Sequence, residues 1–158
     1  MKKKAPKRAK RVVKGHTKSR PARPGAPAAA RDVLVAPIAG ADRRQFGGVV
    51  VDIVRAGNGR IKRAIYPRGF RWSTHIKPDV GTEACMHAHV GFLARGRVRG
   101  EYADGCSFEF VAPRVVVLEP GHDAWVVGDE PAVLIQFDAE EDTARRFGLP
   151  DEHRHALA

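Results

Sequence analysis

The sequence predicts an all-β fold, a sandwich or barrel of short strands across about residues 35–138. Three observations carry that expectation. From Val33 onward the chain breaks into short apolar or alternating runs. Each run is closed by Gly, Asn, Asp or Pro, the residues that supply turn geometry. The runs follow one another at close spacing, which with those turns indicates an all-β sandwich or barrel. No internal repeat is visible.

The elements justify that class one by one. Residues 1–31 are mostly Lys, Arg, Ala and Pro, with hardly a large apolar side chain. Such a segment cannot bury enough surface to offset its ordering entropy, so it is expected to be a disordered tail. The first strand candidate, VVVDIVRA (49–56), ends at Gly57-Asn58-Gly59, and IKRAIYP (61–67) follows that turn. RWSTHIKP alternates and is expected to be a strand, with His75 on the outer side together with Arg71 and Lys77. HVGFLARG and RVRGEYA come next and turn at Asp104-Gly105. In CSFEFVA, Phe108 and Phe110 face one way while Ser107, Glu109 and Val111 face the other. VVVLEPG, WVVGDEP and AVLIQFD close the series. The expected division is a tail over 1–31, a barrel over 32–138, and a helix with a polar end over 139–158. Asp138 can cap that helix with Glu141 three residues on, and Gly148 and Pro150 stop it.

Charge separates the tail from the domain. Lys and Arg number 28 against 18 acids, a net +10. Twelve of those bases and none of the acids lie in residues 1–31, leaving 16 bases to balance 18 acids in the rest. The high isoelectric point therefore describes the tail and not the barrel. The tail reads as a solubility extension, or as an arm for weak nonspecific contact with nucleic acid. No aromatic residue is interleaved in it for base stacking. Cys85 and Cys106 are two thiols and no disulfide framework, which fits a reducing, cytoplasmic setting. No apolar run approaches the ~18 residues of a membrane span, and no apolar stretch follows MKKKAPKRAKR as a signal peptide would need. A transit peptide remains open, although Pro6, Pro21, Pro24 and Pro27 disfavour the amphipathic helix it requires.

Two stretches carry a resemblance. GTEACMHAHVGFLARGRVRG (81–100) is similar to the first cupin motif, G-x5-H-x-H-x3,4-E-x6-G. PRVVVLEPGHDAWVVG (113–128) is similar to the second, G-x5-P-x-G-x2-H-x3-N. More narrowly, RWSTHIKPDVGTEAC, HVGF and PGHDAWVVGDEP resemble a group of small single-domain bacterial cupins of unassigned activity, over about residues 65–138. The resemblance implies a single-domain cupin, a double-stranded β-helix or jelly-roll barrel. Two registers compete for the first motif. Counted back from Gly96, the family's glutamate position falls on His89 and its histidine positions on Glu83 and Cys85. Counted forward from Gly81, the histidines are His87 and His89, and Leu93 takes the glutamate position. The first register keeps a hairpin from Gly96 to Asp104-Gly105 and is favoured. In the second motif Ala124 stands where the family has histidine, and His122 lies two residues earlier.

The metal candidates are therefore His89, His122, Cys85, Glu83 and His87. Glu83, Cys85, His87 and His89 share parity, so on a regular strand they would point to one face. A single ion can reach members of both ends only across a bulge or turn. Imidazoles with a thiolate suit one divalent transition metal, Zn, Fe, Ni or Cu. His89, His122 and Cys85 can supply three ligands if their side chains meet inside the barrel. The plainer alternatives stay open: Cys85 as a small buried residue, Glu83 facing solvent, His87 paired to a carbonyl, and a barrel that has shed its metal. Trp72, Trp125, Tyr102, Phe92 and Phe110 are core residues by type. Trp72, Trp125 and Phe92 are also candidates for binding a small molecule. His153 and His155 read as solvent-exposed.

Three functions follow. The favoured one is a cupin-type protein binding a small molecule or metal at a degenerate site. A metal-dependent dioxygenase or isomerase using His89 and His122 is the alternative. A nucleic-acid-associated accessory working through the tail is the third. Homodimerisation is implied by the resemblance alone, and no membrane partner is expected.

Overall fold

In the computed structural model, residues 32–56 and 59–138 are described. The expected tail over 1–31, the Gly57-Asn58 turn and the expected helix over 139–158 lie outside them. Nine strands form among the described residues: β1 Asp42–Phe46, β2 Val49–Ala56, β3 Gly59–Tyr66, β4 His89–Arg95, β5 Arg97–Tyr102, β6 Ser107–Val111, β7 Arg114–Leu118, β8 His122–Val126 and β9 Ala132–Asp138. All pairings are antiparallel, in a six-stranded sheet ordered β1-β2-β3-β9-β4-β7 and a three-stranded sheet ordered β6-β5-β8. The all-β class predicted from the sequence is what the structure shows. No helix among the described residues is long and apolar enough to cross a membrane.

Parity decides what each strand presents inward. On the six-stranded sheet, register pairs Ala64 with Leu134 and Leu93 with Leu134, so these side chains share the inner face with Gln136 and His89. Leu93 is 1% exposed and anchors a core with Val116, Leu118, Phe70 and Trp72. Phe108 and Phe110 pack against that core from β6, as their alternation predicts. Glycine is required at two positions on β4 and its turn. A Cβ on Gly91 would stand 2.0 Å from the Ile135 carbonyl oxygen on the neighbouring strand β9. Gly96, with φ 81°, turns β4 into β5 in the place the favoured register requires.

RWSTHIKP is corrected. It forms two four-residue helices, α1 Trp72–His75 and α2 Lys77–Val80, rather than a strand. The reason is local. Asp123 on β8 accepts from the Ser73 backbone N–H (3.0 Å), the Ser73 hydroxyl (2.9 Å) and Arg71 Nε (2.7 Å). Those bonds wind the segment onto β8, and Gly81, at φ 72°, ends it. His75 consequently does not face outward on a strand. It is half-buried, its ring 5.4 Å from that of Phe70 and its Nδ1 2.9 Å from the Arg71 carbonyl oxygen.

β1 went unforeseen because DRRQF is exposed throughout and carries no burial pattern. Behind it lies a buried ion pair. Asp52 on β2 and Arg63 on β3 are register partners, 1% and 5% exposed, and Arg63 Nε donates to Asp52 at 3.1 Å. The same guanidinium donates to the carbonyls of Val33 (3.2 Å) and Ala36 (2.5 Å). Arg95 holds Asp32 alongside, with Nη2 to Oδ1 at 2.9 Å.

Candidate metal centre

Three of the five metal candidates meet. Potential ligand atoms of Cys85, His89 and His122 all lie within 4.8 Å of one another. The chain between 82 and 88 is not a regular strand, so shared parity does not apply there. Cys85 instead makes an isolated bridge to His122: its N–H donates to the His122 carbonyl at 2.8 Å, and Gly121 N–H donates to the Cys85 carbonyl at 2.7 Å. Those two bonds dock the loop on the start of β8. His89 then opens β4, pointing inward two residues before Gly91.

Each histidine has its Nδ1 spoken for. His89 Nδ1–H donates to Gln136 Oε1 at 2.6 Å, and His122 Nδ1–H donates to the Glu119 carbonyl at 2.6 Å. Both rings are thereby fixed as the tautomer whose Nε2 carries a lone pair. Burial pushes His89 down to about 3, helped by the neighbouring His122. Burial likewise pushes His122 down to about 4. Both imidazoles are therefore neutral at neutral pH, the form that ligates. Burial pushes the Cys85 thiol up, so without a cation beside it the sulfur keeps its proton.

The donor set fits a transition metal. Cys85 Sγ and His89 Nε2 are 3.6 Å apart. Tetrahedral zinc with ordinary Zn–S and Zn–N lengths sets that edge at ~3.6 Å. One thiolate and two imidazoles suit zinc, iron, nickel or copper and not a hard oxygen-seeking cation.

Glu83 and His87 do not join the cluster. Glu83 is exposed and accepts from Lys77 Nζ at 2.5 Å. It leaves the site because the 82–88 segment bends before Cys85. His87 stands beside it, its ring 5.0 Å from that of His89, but its Nε2 accepts from Lys62 Nζ at 2.9 Å. That lone pair is used by the lysine.

The donor atoms open onto a cavity of about 70 Å³ lined from both sheets. Trp72 and Trp125 lie on its wall, and Trp72 is also part of the core. Trp125 is capped by the Arg71 guanidinium 4.5 Å from its ring. Phe92 is corrected: it is 40% exposed and paired with Val115 on the outer face, because Leu93 takes the inward position next to it.

Sequence reasoning missed Gln136, Lys62 and the Glu119 carbonyl. Gln136 had a readable signal. It shares parity with Ala132 and Leu134 in AVLIQFD, so an amide falls on an otherwise apolar face and must find a partner there. Nothing in the sequence marks Glu119, whose backbone and not its carboxylate does the work.

No protein-family model matches the sequence, and no curated protein matches it. Solved structures do. A Cupin 2 conserved barrel domain protein from Salinispora arenicola is similar over 72% of this chain and 94% of its own, at 18% identity and a TM-score of 0.46. A cupin-like protein from Thermotoga maritima is similar over 59% and 69%, at 16% identity and a TM-score of 0.43. The cupin domain of Schizosaccharomyces pombe Cnp3 is similar over 72% and 79%, at 11% identity and a TM-score of 0.46. The likeness is one of architecture and says nothing of a ligand.

Proposed function

We propose that this chain is a cupin-type small-molecule-binding barrel that holds one divalent transition metal on Cys85, His89 and His122. The observation that carries it is the convergence of three donors from three segments, two of them imidazoles whose Nδ1 is held by an oxygen, of Gln136 and of Glu119. Satisfied structural zinc sites use four protein ligands, whereas three leave a position for an exogenous group. Cys85, His89 and His122 all line the apolar cavity, where such a group would sit. A bound ion would supply Lewis acidity and an anchoring point for a ligand atom. The protein's own part is to orient the imidazoles through Gln136 and Glu119 and to keep bulk water out with Trp72, Leu93 and Phe110.

The open position also supports the second reading, a metal-dependent enzyme, because catalytic centres keep such a place for substrate. The sequence supports a further role for residues 1–31 in weak, charge-driven contact with nucleic acid, independent of the barrel.

Elemental analysis of purified variants tests the assignment. Cys85→Ala, His89→Ala and His122→Ala are each expected to lose the ion, because two remaining ligands cannot hold it. His87→Ala is expected to keep most of it, since its Nε2 serves Lys62. Emptying by His87→Ala as complete as by His89→Ala would overturn this ligand set. A parent protein that carries no metal after growth in supplemented medium would remove the metal reading altogether.

A further inference from the structure

The chemistry of the cavity wall narrows what can occupy it. Its lining includes no Asp, Glu, Lys or Arg among the described residues. Outside Cys85, His89 and His122, the wall is hydrocarbon and aromatic, with Tyr66, Trp72 and Trp125 offering the remaining side-chain polar atoms. A molecule rich in hydroxyls would lose its water there and find few partners, which costs several-fold or more in affinity per buried group.

Charge is the second constraint. A divalent ion with one thiolate and two neutral imidazoles leaves a net positive site in apolar surroundings. The acid next in sequence to His122, Asp123, is engaged by Arg71 and Ser73 and is not among the residues lining the cavity. Uncompensated charge in a low-dielectric pocket is expensive, and one anionic ligand atom cancels the charge of the ion and its thiolate.

We propose, resting on the metal site above, that the barrel's ligand is a small monoanion with an apolar body, of the short-chain monocarboxylate class. Its charged head belongs at the end of the cavity where Cys85, His89 and His122 converge, and its hydrocarbon body against Trp72, Leu93 and Phe110. Neutral amides and polyhydroxylated acids of equal length are poor occupants.

Cobalt(II)-loaded full-length protein provides the readout. Thiolate-to-cobalt charge transfer reports the metal, and changes in the visible bands report a ligand entering its open position. Titration with acetate, propanoate and butanoate is expected to lower the dissociation constant about fourfold per methylene. Threonate, the trihydroxylated counterpart of butanoate, is expected to bind at least about tenfold more weakly than butanoate. Butanamide is expected to give no response where butanoate saturates. Affinity independent of chain length, or threonate or butanamide matching butanoate, overturns the inference while leaving the metal site standing. A spectrum without thiolate charge transfer overturns the metal site itself, and this inference falls with it.

Discussion

Varying pH while loading the metal-free protein isolates the proton that the site must give up. His89 and His122 are held near 3 and 4, so above about pH 5 neither carries a proton that a metal would displace. Cys85 is shifted the other way, so its sulfur is protonated until the ion arrives. Binding therefore releases one proton, and apparent affinity rises about tenfold per pH unit between about pH 5.5 and 8. Two ordinary imidazoles would change that slope. With values near 6.5 they would add up to two further protons on the acid side, so the limiting gain there is about a thousandfold per unit rather than tenfold. The measurement is competition against a chromophoric zinc chelator at constant ionic strength, with circular dichroism confirming the fold at each pH. A slope near three below pH 6.5 would refute the buried, neutral histidines. A flat profile would show that the Cys85 sulfur does not ligate.

Further perturbations probe the surroundings. In chelated protein, the depressed histidines mean that the unfolded chain takes up protons first as pH falls below about 6.5, so stability is complete above that value and declines toward the folded values; each ring costs about 2 kcal/mol by pH 5, and a urea midpoint unchanged between pH 7.5 and 5 would contradict this. Gln136→Leu leaves the His89 Nδ1–H unpartnered and is expected to weaken metal binding about 10- to 100-fold, read by the same chelator competition. Asp52→Ala strands the buried Arg63 guanidinium and is expected to cost about 3–5 kcal/mol in urea unfolding, whereas Asp52→Leu with Arg63→Met is expected to recover most of it. Deleting residues 2–31 is expected to abolish any nucleic-acid binding, which in the parent should fall by about 0.9 log units per log unit of salt for each phosphate neutralised on duplex DNA; binding that survives the deletion belongs to the barrel.

The strands were legible wherever one face had to be buried. VVVDIVRA, SFEFV and AVLIQFD each announce themselves through their apolar content or alternation. β1 was silent because nothing about DRRQF is buried. RWSTHIKP misled because its alternation is real, yet its conformation is set by Asp123, fifty residues from Ser73, and no local pattern reports that partner. The cluster of Cys85, His89 and His122 was reachable through the cupin resemblance, whose favoured register puts Cys85 and His89 at first-motif ligand positions and leaves His122 as the histidine near the second motif. Glu83 and His87 shared the same parity and could not be separated from the others by periodicity, because periodicity assumes the regular strand that the loop lacks. Phe92 was a matter of register: one residue's shift exchanges it for Leu93.

The grip of Arg63 and Arg95 on residues 32–36 also determines where the sequence can be shortened. Trimming to the first strand, at Asp42, looks conservative on a secondary-structure diagram. It would remove the Val33 and Ala36 carbonyls that complete the Arg63 guanidinium, and would open the charge pair beneath them to solvent. A pair opened in that way contributes only about 0–1 kcal/mol. A piece beginning at Asp32, ten residues before the first strand, keeps every one of those bonds.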